Sequence, residues 1–179
     1  TNVNGTVTMT FTNPPVLNVL GQDGDDVLTV SYLGGSDPVP ASGVYYDGGN
    51  QDLVPIPTPV NGDALSVVGS GTENAIYTPD AAVTGAGTVE ILGSGTITFI
   101  NLEPVDISGM ASATISTPGA DDVLVVDDGF DAATGLTPAL VVSGTTDGVA
   151  IESAHFFNNG TVGIDTSLTD GNDSVTINS

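Results

Sequence analysis

Short apolar runs in this chain are punctuated by glycine turns that return at a nearly fixed step. Gly69-Ser70-Gly71-Thr72 and Gly93-Ser94-Gly95-Thr96 are offset by 24 residues. The same step reaches Pro118-Gly119-Ala120 and, one residue late, Ser143-Gly144-Thr145; backwards it reaches Gly48 and Gly24. Before the glycines stand Val44-Tyr45-Tyr46, Leu65-Ser66-Val67-Val68, Val89-Glu90-Ile91-Leu92, Thr114-Ile115-Ser116 and Leu140-Val141-Val142. After them stand Val27-Leu28-Thr29-Val30, Ile97-Thr98-Phe99-Ile100, Val123-Leu124-Val125-Val126 and Val175-Thr176-Ile177. β-Branched residues suit a pleated surface, and glycine takes the positive φ of a tight corner. Prolines fall mostly between the runs, where no ladder hydrogen bond is lost. No stripe of helical period exceeds two turns. The pattern predicts an all-β chain.

A strand-glycine-strand unit at that step predicts a right-handed parallel β-helix, a solenoid with coils of about 24 residues and about seven coils in all. Residues 1–179 then form a single domain, with 1–20 an N-terminal strand segment able to mediate assembly and 21–179 the stacked coils. The alternative is two β-sandwich domains of about 90 residues. The likeness of Gly5-Thr6-Val7-Thr8-Met9-Thr10-Phe11 to Gly95-Thr96-Ile97-Thr98-Phe99-Ile100, a hint of duplication at that spacing, favours it.

Charge restricts the partners. The 179 residues hold no Lys or Arg against 22 Asp and Glu, a formal net charge of -22. Phosphate and carboxylate recognition uses Arg forks or Lys ammonium groups, and nucleic-acid affinity rests on neutralised phosphates. Nucleic acid is therefore not a partner, and cations are the natural ones. No apolar run approaches the roughly 18 residues of a membrane span, so no membrane insertion is expected. The absence of Cys removes disulfide and thiolate chemistry. Together with the one-sided charge and few aromatics, it suits an exported protein of the bacterial cell surface. Thr1 is not an initiator, so the chain is expected to be a processed product or a section of something longer.

Three segments share an acidic turn: Gly24-Asp25-Asp26-Val27-Leu28-Thr29-Val30, Gly119-Ala120-Asp121-Asp122-Val123-Leu124-Val125-Val126 and Gly171-Asn172-Asp173-Ser174-Val175-Thr176-Ile177. With Tyr46-Asp47-Gly48-Gly49 and Asn101-Leu102-Glu103-Pro104-Val105, the chain from about residue 17 onward resembles the repetitive β-helix segments of giant bacterial cell-surface and adhesin-like proteins, including those of planctomycetes. The resemblance implies a structural repeat along an extracellular stalk. The same turns resemble the calcium-binding nonapeptide of RTX β-rolls. Gly21-Gln22-Asp23-Gly24-Asp25-Asp26-Val27-Leu28-Thr29 departs from it at Gln22, and the copies are not in tandem. That resemblance implies calcium ligands among Asp23, Asp25, Asp26, Asp121, Asp122 and Asp173, since Ca²⁺ takes hard oxygen donors. The competing reading is an Asp that caps a turn by accepting backbone N–H groups.

Catalytic signals are sparse. Asp25-Asp26, Asp121-Asp122 and Asp127-Asp128 are adjacent carboxylates, but neighbours in a strand point to opposite faces. His155 has no second His or Cys to complete a zinc site, and reads as a surface or partly buried strand residue. Asn4-Gly5-Thr6, Asn159-Gly160-Thr161 and Asn172-Asp173-Ser174 match the glycosylation triplet but read as turn asparagines. The expected activity is none: a non-enzymatic module that binds copies of itself or flanking repeats head-to-tail. A calcium-dependent adhesin that binds glycans is the alternative, with Tyr32, Tyr45, Tyr46 and Tyr77 as candidate stacking platforms; a polysaccharide hydrolase comes after it.

Overall fold

A computed structural model describes residues 16–50 and 62–178. The segments Val7–Phe11 and Pro55–Pro59, the Asn4 triplet and the Gly5 half of the possible duplication lie outside the described residues. The described chain is all-β, without a helix, so none is long and apolar enough to cross a membrane. Its first strands are β1 (Leu17–Leu20), β2 (Val27–Ser31), β3 (Val44–Asp47), β4 (Ala64–Val68), β5 (Asn74–Pro79), β6 (Gly87–Ile91), β7 (Thr96–Ile100) and β8 (Val105–Ser108). There follow β9 (Ser112–Ser116), β10 (Asp122–Phe130), β11 (Pro138–Thr146), β12 (Val149–Ala150), β13 (Ala154–Phe157), β14 (Val162–Asp165) and β15 (Ser174–Ile177).

Two mixed sheets result, and neither closes into a barrel. The first runs β1-β3-β7-β6-β5-β9-β14 and the second β15-β10-β11-β13-β8-β4-β2, with β12 hairpinned onto β11. In the first sheet β6 is antiparallel to both neighbours and every other pair is parallel. In the second, β11 alone along the path is reversed, against β10 and β13. Six strands of each seven-strand path therefore point the same way.

The step of 24 is not kept in the pairing. Leu17 lies opposite Val44, Val27 opposite Ala64, Leu65 opposite Val105 and Val123 opposite Ser174, separations of 27, 37, 40 and 51 residues. For the two longest the reason is insertion: the β5–β6–β7 meander lies between Leu65 and Val105, and the β10–β11–β12 excursion between Val123 and Ser174. The two Gly-Ser-Gly-Thr copies accordingly do different work. Gly69 packs on Gly109, donating its N–H to the Ser108 carbonyl at 2.7 Å, whereas Gly93 belongs to the β6–β7 hairpin turn. Gly109 has φ +66°, and a Cβ there would lie 2.7 Å from the Gly69 carbonyl oxygen, so no larger residue fits without strain.

One core takes side chains from both sheets. Tyr46, Tyr77, Val89, Ile97, Phe99 and Ile115 come from the first, and Leu65, Val67, Val105, Ile107, Leu124 and Phe156 from the second. Inward residues alternate with more exposed ones along β5, β6 and β7, as one buried face requires. β8 is instead buried at every position. The carboxylate of its Asp106 is held by the loop after β10, through the N–H groups of Ala132 at 2.9 Å and Ala133 at 3.0 Å.

Candidate functional site

Among the described residues, the acidic turns, a cleft beside β13 and the sheet edges carry polar or unpaired groups.

The acidic turns stack on one another through parallel pairing. Asp26 donates its N–H to Asp63 Oδ1 at 2.8 Å, and Asp122 donates to Asp173 Oδ1 at 3.2 Å. A second set of bonds runs from an asparagine in or beside one rung to an aspartate of the neighbouring chain segment. Asn50 reaches Asp23 at 3.0 Å, Asn101 reaches Asp47 at 2.8 Å, Asn172 reaches Asp121 at 3.2 Å and Asn178 reaches Asp127 at 2.8 Å. Of the six aspartates expected to ligate calcium, Asp121, Asp122 and Asp173 thus come together at β10 and β15. Asp23, Asp25 and Asp26 share a separate turn before β2. Among the described residues no group of three or more His, Asp or Glu side chains is arranged to hold a metal ion. Asp23, Asp121 and Asp173 spend carboxylate oxygens on backbone or asparagine N–H groups, as turn caps do. Asp122 Oδ2 accepts from Thr117 Oγ1 at 2.5 Å, while its Oδ1 is buried without a partner.

Without Lys or Arg, buried carboxylates need hydrogen bonds or a proton. Asp63, Asp106, Asp122, Asp131 and Glu152 are all buried. Burial, reinforced by the negative charges of Asp26, Asp25 and Glu103, pushes the Asp63 carboxyl up to about 6 although the Asp26 N–H opposes it. Asp63 Oδ2 is a further buried oxygen without a partner. Glu152 is pushed up to about 7, by burial first and by Glu103 next. Asp131 shows the opposite outcome: burial raises it, but four hydrogen bonds from Thr134, Leu136 and Thr137 outweigh this and hold it at about 2.

Glu103, Pro104, Phe130, Asp131, Glu152 and His155 line an open cleft of about 440 Å³. β8 and β13 pair with Val105 opposite Ala154, which brings Glu103 and Glu152 side by side just ahead of the two strands. His155 is partly buried in β13, as expected. Its Nδ1 lies 2.7 Å from the Phe130 carbonyl oxygen and 3.9 Å from Asp106 Oδ1. This carboxylate pair escaped the sequence reading, which weighed only adjacent aspartates; the two residues are 49 positions apart. The tyrosine platform is corrected. Tyr32, Tyr46 and Tyr77 are buried core residues and Tyr45 is half-buried, so no exposed row exists. Asn159 is a turn asparagine, with Oδ1 accepting from Met110 N at 2.9 Å and Nδ2 donating to the Ile107 carbonyl at 3.0 Å.

Among the described residues the edge strands are β1 and β14 in the first sheet, β2 and β15 in the second. None of the four contains proline, and Asp165 is their one charged residue. Such residues usually protect an edge from pairing with another chain. Leu20 is 61 % exposed at one end and Ile177 75 % at the other. No protein-family model, curated protein or solved structure matches the chain.

Proposed function

We propose that this chain is a non-enzymatic structural module of an extracellular bacterial surface fibre, stalk or adhesin, assembling head-to-tail. On this reading the two sheets are sides of a right-handed β-helix-like solenoid with unequal coils. The observation that carries it is that, among the described residues, nothing pairs with the outer side of β1, β14, β2 or β15. Each sheet has one edge strand from the N-terminal part of the described chain and one from the C-terminal part, both pointing the same way. Addition of a like module therefore continues both sheets without reversing strand direction, and heterologous contacts of this kind build open filaments. Composition and the surface-protein resemblance support the extracellular setting. Sedimentation of the purified chain over a concentration series, with electron microscopy of the product, tests the proposal. Linear oligomers are expected; a monomer at all concentrations overturns it.

Calcium at the acidic turns is a second reading, supported by the buried, unpartnered Asp122 Oδ1 beside Asp121 and Asp173. Melting curves in calcium and in sodium of matched ionic strength decide it, since binding to the folded state alone adds stability beyond screening.

A further inference from the structure

We infer that β15 of one copy adds to β2 of the next in a single register, with Ser174 opposite Val27 and Asp173 opposite Asp26 of the next copy. This rests on the head-to-tail reading and specifies its contact.

Strand direction comes first. Both edges belong to the majority orientation of the second sheet, so the join is parallel like most pairs within it. Hydrogen-bond polarity comes second. At the two outer steps of the sheet, crossing from β2 towards β15, an aspartate at the start of one strand donates its N–H to the carboxylate of the aspartate ahead of the next, as Asp26 does to Asp63 and Asp122 to Asp173. The two edges hold the complementary halves of one more such step: the Asp173 N–H and the Asp26 carboxylate. The proposed register joins them.

Side-chain direction gives a third, independent agreement. Val175 and Ile177 stand opposite the buried Leu124 and Val126, so they face inward, and they are 43 % and 75 % exposed because no further described strand pairs beyond β15. On β2 the inward residues are Val30, which is buried, and Leu28, which packs on the core. Placing Asp173 opposite Asp26 sets Val175 against Leu28 and Ile177 against Val30. A slip of one residue would turn every apolar side chain to the wrong face. The first sheet is compatible: Val162 and Ile164 face inward on β14, and Leu17 and Val19 do so on β1. Stacked aspartates at the join repeat what the molecule already tolerates at Asp26–Asp63 and Asp122–Asp173.

The chain has no cysteine, so single cysteines report register cleanly. Thr29→Cys and Thr176→Cys, made in separate chains and mixed, become direct partners. Ser31→Cys mixed with Ser174→Cys is four residues out of register. With a bifunctional thiol reagent spanning about one strand spacing, the matched pair should cross-link at least tenfold faster. Oligomers that cross-link at equal or reversed rates overturn the register but leave head-to-tail assembly standing; wild-type chains that never associate overturn both. Asp26→Ala, which removes the acceptor, should weaken association about fivefold, and Asp26→Asn, which retains one, should not. Equal loss in both variants would show that the Asp173 N–H to Asp26 carboxylate bond does not form at the join.

Discussion

Glu152 stands beside Glu103 across the β8–β13 pairing, and the chain has no lysine or arginine with which to neutralise either. Glu152 and Asp63 are held well above the usual carboxylate range, at about 7 and about 6. Each therefore binds more protons folded than unfolded between about pH 4 and its raised value, and their ionisation erodes stability as pH climbs through that window. Glu73 and Asp131 are held at about 2, so the stability they contribute is present above about pH 4 and is lost below it. The melting temperature should therefore peak near pH 4 to 5 and decline towards pH 8. A flat or rising profile across pH 5 to 7, followed by circular dichroism, contradicts this.

Removing the charge should remove the decline. Glu152→Gln and Asp63→Asn are each expected to raise the melting temperature at pH 7.5 and to flatten its pH dependence between 5 and 7. Asn at 63 keeps an oxygen for the Asp26 N–H. Thermal scans of the two variants at pH 4.5 and 7.5 check the prediction, and equal shifts at both pH values would refute it.

Asp131 is the contrasting carboxylate. Its two oxygens organise the loop that in turn holds Asp106. Asp131→Ala strands several backbone N–H groups, and hydrogen bonds to a charged acceptor are worth about 1.5–3 kcal/mol each. A loss of roughly 2–4 kcal/mol is expected in urea unfolding at pH 7. A loss below about 0.5 kcal/mol, the size of an ordinary surface substitution, would mean that the loop is held otherwise.

Gly109→Ala tests the stacked turns. Its positive φ and the nearby Gly69 carbonyl leave no room for a methyl group, so a cost of about 1–3 kcal/mol is expected. Gly148→Ala has a similar positive φ of +79° but meets no neighbouring atom within 4 Å, and should cost less. Reversal of that order in chemical denaturation would count against the account.

Salt should stabilise the chain, because -22 charges without opposites repel one another. Sodium chloride from 10 to about 500 mM should raise the melting temperature steadily, in line with a Debye length that falls from about 30 Å at 0.01 M to 3 Å at 1 M. No response would show that counter-charge is not the limiting term.

The strands themselves were legible in the sequence. Val27–Val30, Leu65–Val68, Ile97–Ile100, Val123–Val126 and Val175–Ile177 all lie in strands, because alternation and turn glycines are local signals. Their partners were not legible. Pairing depends on the length of what intervenes, and the hairpins around β6 and β11 lengthen some separations and not others. The Glu103–Glu152 pair was hidden for the same reason. The tyrosines were misjudged although a signal existed: Tyr46 shares the inward phase of Val44 along β3, and Tyr77 that of Ala75 along β5.

The reversed strands β6 and β11 have a kinetic consequence. The hairpins they form with β5, β7 and β10 join residues close in the chain, whereas parallel partners are separated by 27 residues or more. Loop closure must be met before a distant contact is rewarded. The β5–β6–β7 meander in the first sheet and the β10–β11 hairpin in the second are thus the natural nuclei, from which the parallel strands accrete outward towards both edges.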